Sequence, residues 1–174
     1  FTRAGTWKAA SAELAELARI GITVVELMPV MDFAGEFGWG YDGVDFFAPT
    51  RLYGTPDDLR QFVAEAHRVG LGVILDVVYN HVGTCGNFLN QFAANYISRK
   101  HGTEWGDSLN FDGPNSAAVR DFVTSNVRYW IQEFHLDGLR LDATQALRDD
   151  SPEHILVAIG RAAREAAGAR NIIL

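Results

Sequence analysis

Apolar and polar positions along this chain alternate between a helical period and short β-branched runs. In WKAASAELAELARIG, Leu14, Leu17 and Ala18 fall at helical spacing, and Gly21 ends the pattern. ITVVELMPV follows as an apolar run, which predicts a buried strand. TPDDLRQFVAEAHRVG predicts a helix with Thr55 as N-cap and Pro56 at its first position. Asp57 and Asp58 suit its positive start, Leu59, Phe62, Val63 and Ala66 form its buried stripe, and Gly70 stops it. GVILDVVYN is the next strand. SAAVRDFVTSNVRYWIQEF predicts a helix that turns Val119, Phe122, Val123, Val127, Trp130 and Phe134 inward. LDGLRLDA is a strand, SPEHILVAIGRAAREAAG a helix begun by Ser151-Pro152 and ended by Gly168, and NIIL the start of another strand.

Strict alternation of helix and strand predicts the α/β class with a parallel sheet. An open doubly wound sheet and a (β/α)8 barrel both fit. Four strands are about half of such a barrel. The irregular segment 82–115, rich in Gly, Asn and aromatics, is longer than an ordinary connection and reads as a functional loop or an inserted subdomain. No internal repeat or low-complexity linker is visible.

Composition narrows the function classes. At 174 residues, 48% hydrophobic and 21% charged, the chain suits one globular domain. No apolar run reaches the length of a membrane span. The net charge of −7 argues against nucleic acid and against an anionic membrane surface, but not against a neutral sugar. Cys85 is the single cysteine, so an internal disulfide and a multi-thiolate zinc site are excluded. A free thiol fits a reducing compartment such as the cytoplasm. Both ends read as cut: the chain starts at Phe1 without Met, and RNIIL is the first half of a strand. A preceding signal segment therefore stays open.

Candidate chemistry gathers at strand ends. In GLRLDA, Leu139 and Leu141 share one face, and Arg140 and Asp142 share the other. A buried unpaired charge is costly, so Arg140 must meet carboxylates. A guanidinium in turn favours an ionised carboxylate, which is a ready nucleophile at the C-terminal end of a parallel strand. The competing reading is an Arg–Asp pair that only pins two strands. DVVYNHV brings Asp76, Asn80 and His81 toward the same rim. Alone, Asp76 reads as a partner for Arg140 and His81 as a hydrogen-bonded structural histidine. Together they indicate an active site. GWGYDG matches a dinucleotide pattern at Gly38, Gly40 and Gly43, but it runs into the extended VDFFAPT instead of a helix. Its glycines rather let a loop present Trp39 and Tyr41, whose faces suit a sugar ring. Phe46, Phe47, Trp7 and Trp130 read as packing residues, and Trp105 is open either way.

DVVYNH and GLRLDA resemble two signature strand ends of the α-amylase superfamily, glycoside hydrolase family 13. VVELMPV, WGYDGVDFFAPTRLYGTPDDLRQFV, NFDGP and EFHLDGLRLDATQAL extend the resemblance over essentially the whole chain. It implies a (β/α)8 barrel, here from the first helix to the start of the fifth strand, with 82–115 inserted after the third. It implies Asp142 as nucleophile and Arg140 as its positioning group. His81 would bond the sugar, Tyr41 would stack beneath it with Trp39 nearby, and Asp76 and Asn80 would brace the rim. The family's acid/base Glu would lie a few residues beyond Leu174, so the chain as it stands should turn over little. The implied substrate is a maltooligosaccharide. The wording within the family points to maltooligosyl trehalose and release of trehalose, with glucan branching as the alternative. No metal and no cofactor are expected.

Overall fold

The computed structural model describes residues 2–174. Helices α1 (Trp7–Ser11) and α2 (Leu14–Arg19) come first. They are followed by β1 (Val24–Leu27), the short β2 (Met31–Asp32), β3 (Asp45–Pro49), α3 (Pro56–Arg68) and β4 (Gly72–Val77). Then come α4 (Leu89–Phe92), α5 (Ser116–Glu133), β5 (Gly138–Leu141) and α6 (Ile155–Ala167).

Strands β1, β4 and β5 pair in parallel in that order, with Leu27 opposite Leu75 and Asp76 opposite Arg140. Ile173 adds a parallel bridge to Gly138. Strand order thus follows chain order, with no reversal among the described residues. A doubly wound sheet reverses at a switch point. β2 and β3 form a separate antiparallel pair. The core fills the space behind the parallel strands. Val73, Leu75 and Leu139 are buried there with Val127, Trp130 and Phe134 of the α5 region and with Ile155 and Ile159 of α6.

The capping reading of α3 holds. Thr55 Oγ1 accepts from Asp58 N, and the Asp58 carboxylate accepts from Thr55 N at 2.8 Å. Two such bonds satisfy two otherwise orphaned donors, worth about 1 kcal/mol. The stripe Leu59, Phe62, Val63 and Ala66 is buried as its spacing predicts.

Three expectations are corrected. The first predicted helix is two pieces, α1 and α2. Ser11 Oγ donates to Trp7 O at 3.0 Å, and Ala12 N and Glu13 N bond three residues back, which tightens the turn and restarts the helix at buried Leu14. Ser151-Pro152 does not open α6; His154 is its N-cap. The Ser-Pro stretch is drawn away by Asp149, which accepts from Ser151 N at 2.9 Å and from Ile155 N at 2.5 Å. NIIL contributes a single bridge instead of a strand.

Segment 82–115 is mostly irregular. It holds α4 and is tied down by antiparallel bridges Val82–Asp107 and Ile97–Leu109. The glycine loop before β3 behaves as the pattern suggests. Gly40 has φ +88°, and a Cβ there would lie 2.0 Å from Pro29 O. Only glycine fits, and the turn it makes sends Tyr41 inward. No helix among the described residues is long and apolar enough to cross a membrane.

Candidate active site

The parallel register sets the site. Asp76 on β4 lies beside Arg140 on β5, and pairing continues to Asp142, whose N–H donates to Val77 O at 3.0 Å. Asp76 is 2% exposed and receives Arg140 Nη1 at 3.0 and 2.9 Å on its two oxygens. Tyr41 Oη donates to Asp76 Oδ2 at 2.8 Å. The same Arg140 nitrogen reaches Asp142 Oδ1 at 2.6 Å. One guanidinium thus bridges a buried carboxylate and one that opens on the surface.

The expectation of a buried arginine needs correction. The Arg140 side chain is 43% exposed, and Asp76 is the buried member of the pair. Burial pushes the Asp76 carboxyl pKa up, against the pull of Tyr41 and Arg140. The bonds to Asp76 and Asp142 push the Arg140 pKa up.

Asn80 and His81 extend the network from the end of β4. Asn80 Nδ2 donates to Asp142 O at 3.0 Å and to Asp142 Oδ2 at 3.2 Å. With its nitrogen so committed, the Asn80 oxygen faces His81 Nδ1, which donates to it. The neutral imidazole then keeps its lone pair on Nε2. Burial lowers the His81 pKa, opposed by the Asp42 and Asp142 carboxylates and by the main chain of Tyr41.

Directly after Asp142, Ala143 sits in the left-handed region at φ 41°, ψ 50°. That conformation costs a non-glycine residue about 1–2 kcal/mol. It turns the chain off the strand and leaves the Asp142 carboxylate at the sheet's end.

Tyr41, His81, Arg140 and Asp142 line an open cleft of about 590 Å³, with Trp39 and Trp105 on its walls. The volume suits a small-molecule site. All seven residues singled out from the sequence therefore meet: Tyr41, Asp76, Arg140, Asp142, Asn80 and His81 in one hydrogen-bonded chain, and Trp39, 78% exposed, at the rim. Asp42 and Gln145 also line the cleft and were not singled out. Asp42 follows Tyr41 directly and could have been found from that neighbour; Gln145 carries no sequence signal. A separate cleft of about 410 Å³ beside α1, β1 and α3 is mainly apolar, with Thr2, Thr6 and Glu26 among its lining residues.

One cluster has donors for a cation. Ligand atoms of His101, Asp112 and Asp150 lie within 4.8 Å of one another. Lys100 Nζ already stands there, 3.0 Å from Asp112 and 2.5 Å from Asp150. Burial raises the Asp112 pKa, but bonds from His101, the Asp150 main chain and Lys100 outweigh it and hold the carboxyl well below the usual range. The lysine supplies the positive charge this carboxylate needs. Cys85 is exposed and free.

The family "Alpha amylase, catalytic domain" matches residues 2–108. A malto-oligosyltrehalose trehalohydrolase from Deinococcus radiodurans is 44% identical over 173 residues, covering 99% of this chain. One from Saccharolobus solfataricus is 49% identical over 156 residues, covering 90% of this chain. This chain spans 28% of the length of each. A 1,4-alpha-glucan branching enzyme from Thiobacillus denitrificans is 39% identical over 150 residues, covering 82% of this chain and 20% of that protein. The crystal structure of a putative alpha amylase from Salmonella typhimurium superposes with a TM-score of 0.94 at 45% identity, over 99% of this chain and 29% of that one.

Proposed function

The chain belongs to the α-amylase family, and from that premise we propose that it forms part of the catalytic unit of a retaining glycoside hydrolase that cleaves α-1,4-glucosidic bonds. The substrate is a maltooligosyl trehalose and the product trehalose, as the names of the relatives at 44% and 49% identity suggest. The unreversed order of β1, β4, β5 and Ile173 supports reading residues 1–174 as an arc of a (β/α)8 barrel, with 82–115 inserted into it.

One observation carries the proposal. The Asp142 carboxylate stands at the C-terminal end of a parallel strand, held by Arg140 on one oxygen and Asn80 on the other, and it faces the cleft. One donor on each oxygen fixes the orientation of the carboxylate and aims it into the cleft, as a nucleophile needs. Asp142 attacks the anomeric carbon, the bond to the leaving oxygen breaks, and a glycosyl ester forms. A second carboxyl group about 5 Å away protonates that oxygen and then takes a proton from water, which cleaves the ester. The resemblance assigns it to a Glu beyond Leu174. Arg140 holds the charge of Asp142, Asp76 holds Arg140, and Tyr41, bonded to Asp76, presents its ring to the sugar with Trp39. His81 Nε2 accepts from a sugar hydroxyl. No step calls for a metal or cofactor, and the chain works in the cytoplasm on a soluble glucan.

The test uses a polypeptide extending this chain to the length of its relatives. Trehalose released from maltooligosyl trehalose, and lost by about 10³-fold or more in Asp142→Asn, supports the proposal. New branch points in amylose without trehalose would move it to glucan branching, which the relative at 39% identity favours and which shares the first half-reaction. Full activity in Asp142→Asn would remove Asp142 as nucleophile.

A further inference from the structure

Two walls of the Asp142 cleft come from different parts of the chain. Trp105 belongs to segment 82–115, and Gln145 to the loop that follows β5. The two parts are clasped together at one carboxylate, that of Asp112. We infer that Lys100 and Asp112 are positioning residues, whose clasp on Asp150 fixes the gap between the Trp105 and Gln145 walls and so sets how tightly a glucan is held, with little effect on bond cleavage. This rests on the functional reading above.

Three observations carry it. First, the clasp joins segments far apart in sequence. Asp112 Oδ2 accepts from Lys100 Nζ, His101 Nε2 and Asp150 N, each at 3.0 Å. Lys100 Nζ also reaches Asp150 Oδ2 at 2.5 Å, 50 residues along the chain. Phe111 O, beside Asp112, accepts from Ser151 Oγ at 3.2 Å.

Second, Asp112 has no substitute for these bonds. Its side chain is 2% exposed, and its Oδ1 is buried without a partner among the described residues. Every bond therefore passes through Oδ2, and Lys100 brings the permanent positive charge. A buried carboxylate that loses its counter-charge is strongly disfavoured, and Asp150 alongside adds repulsion of like sign. The Lys100 side chain is itself 53% exposed, so it can be replaced without leaving a cavity in the core.

Third, the clasp is continuous with the Trp105 wall. Ser98 Oγ accepts from Lys100 N at 3.2 Å and from His101 N at 3.0 Å. Two residues on, Thr103 Oγ1 accepts from Trp105 N at 3.2 Å and from Gly106 N at 3.1 Å. Two successive bonded turns carry the chain from Lys100 to Trp105 with little slack. Asp142 is held separately, by Arg140 and Asn80, neither of which the clasp touches. Opening the clasp thus loosens a wall and leaves the nucleophile aimed.

The test uses the protein at the length of its relatives, with Lys100→Met and Asp112→Asn made singly and together. Steady-state hydrolysis of maltooligosyl trehalose gives kcat and KM. Calorimetry with Asp142→Asn added gives Kd for maltoheptaose, and hydrogen exchange follows the amides of 98–106 and 148–151. Lys100→Met is expected to raise KM and Kd by about threefold or more, to leave kcat within about twofold, and to speed exchange in both stretches. The double variant should exceed the larger single effect by little, because both changes open one clasp. A lower unfolding midpoint with unchanged KM and Kd would reduce the cluster to a structural tie and overturn the inference. So would a loss of kcat as large as the loss of kcat/KM. Lys100→Met decides the matter by itself if Asp112→Asn does not fold. A parent without turnover would defeat the hydrolase reading, while Kd and exchange still decide this one.

Discussion

Asn80 holds Asp142 twice, through the main-chain oxygen at 3.0 Å and the carboxylate Oδ2 at 3.2 Å. The side chain is thereby fixed relative to its own backbone, and Ala143 is forced into its left-handed turn beside it. A loop residue at the end of one strand thus sets the aim of the carboxylate at the end of the next.

If that aim matters, Asn80→Ala in the protein at full relative length lowers kcat about 10²-fold, because small misplacements of a nucleophile are costly. KM changes much less. A kinetic comparison with Asp142→Asn checks this: the single variant must retain measurable turnover where Asp142→Asn does not.

His81 titrates below the ordinary histidine value of 6.5, because burial disfavours the imidazolium. The unfolded chain therefore binds the proton first as pH falls. The associated stability is full above about 6.5, is lost as pH falls through that value, and levels off below the folded pKa. Removing the Asp142 charge with Asp142→Asn should shift the His81 midpoint further down, since that carboxylate favours the charged ring. Imidazole chemical shifts followed against pH decide it, and an upward shift would contradict the geometry.

Asn126 is buried in the heart of α5. Its Oδ1 accepts from Tyr79 Oη at 2.7 Å and from Trp130 Nε1 at 3.0 Å, and its Nδ2 donates to Phe46 O at 2.7 Å. Asn126→Ala leaves three buried groups without partners and should cost about 3–5 kcal/mol in denaturant unfolding. Tyr79→Phe removes one donor and should cost about 1 kcal/mol. The double variant should fall well short of the sum, because both changes break one bond.

Asp149 anchors the loop that follows Asp142. Its side chain is fully buried and accepts from Arg120 Nη1 at 2.5 Å. Burial raises its pKa, but the bonds from Ser151, Arg120 and Ile155 outweigh this and depress it below 3.8. The stability it supplies is present above about 3.8 and lost as pH falls through the lower folded value. Asp149→Asn leaves Arg120 without its counter-charge and should destabilise the fold by about 3 kcal/mol at neutral pH. The gap between wild type and variant should narrow in acid.

Gly40→Ala puts a Cβ against Pro29 O in a φ of +88°. The expected cost is about 2 kcal/mol or more, with the Tyr41–Asp76 bond lost as the loop shifts. Loss of protection at the Tyr41 hydroxyl and a lower unfolding midpoint would report it.

The sequence by itself determined the alternation of elements, the capped α3 with its buried stripe, and the strand identity of GLRLDA. Those rest on local periodicity and on side-chain chemistry within a few residues. It also marked Asp76, Asn80, His81, Arg140 and Asp142 as unusual, since polar groups on buried strands must be answered by something. What answers them was decided only by the tertiary structure. Parallel register sets Asp76 opposite Arg140 across 64 residues of chain, and the loop turned by Gly40 brings Tyr41 onto the same carboxylate. The break between α1 and α2 comes from a local serine bond that helical periodicity does not encode. The late start of α6 comes from Asp149 capturing the Ser-Pro stretch. Gln145 and the placement of Trp105 were equally out of reach, because a cleft wall is built from segments that meet only once the sheet has formed.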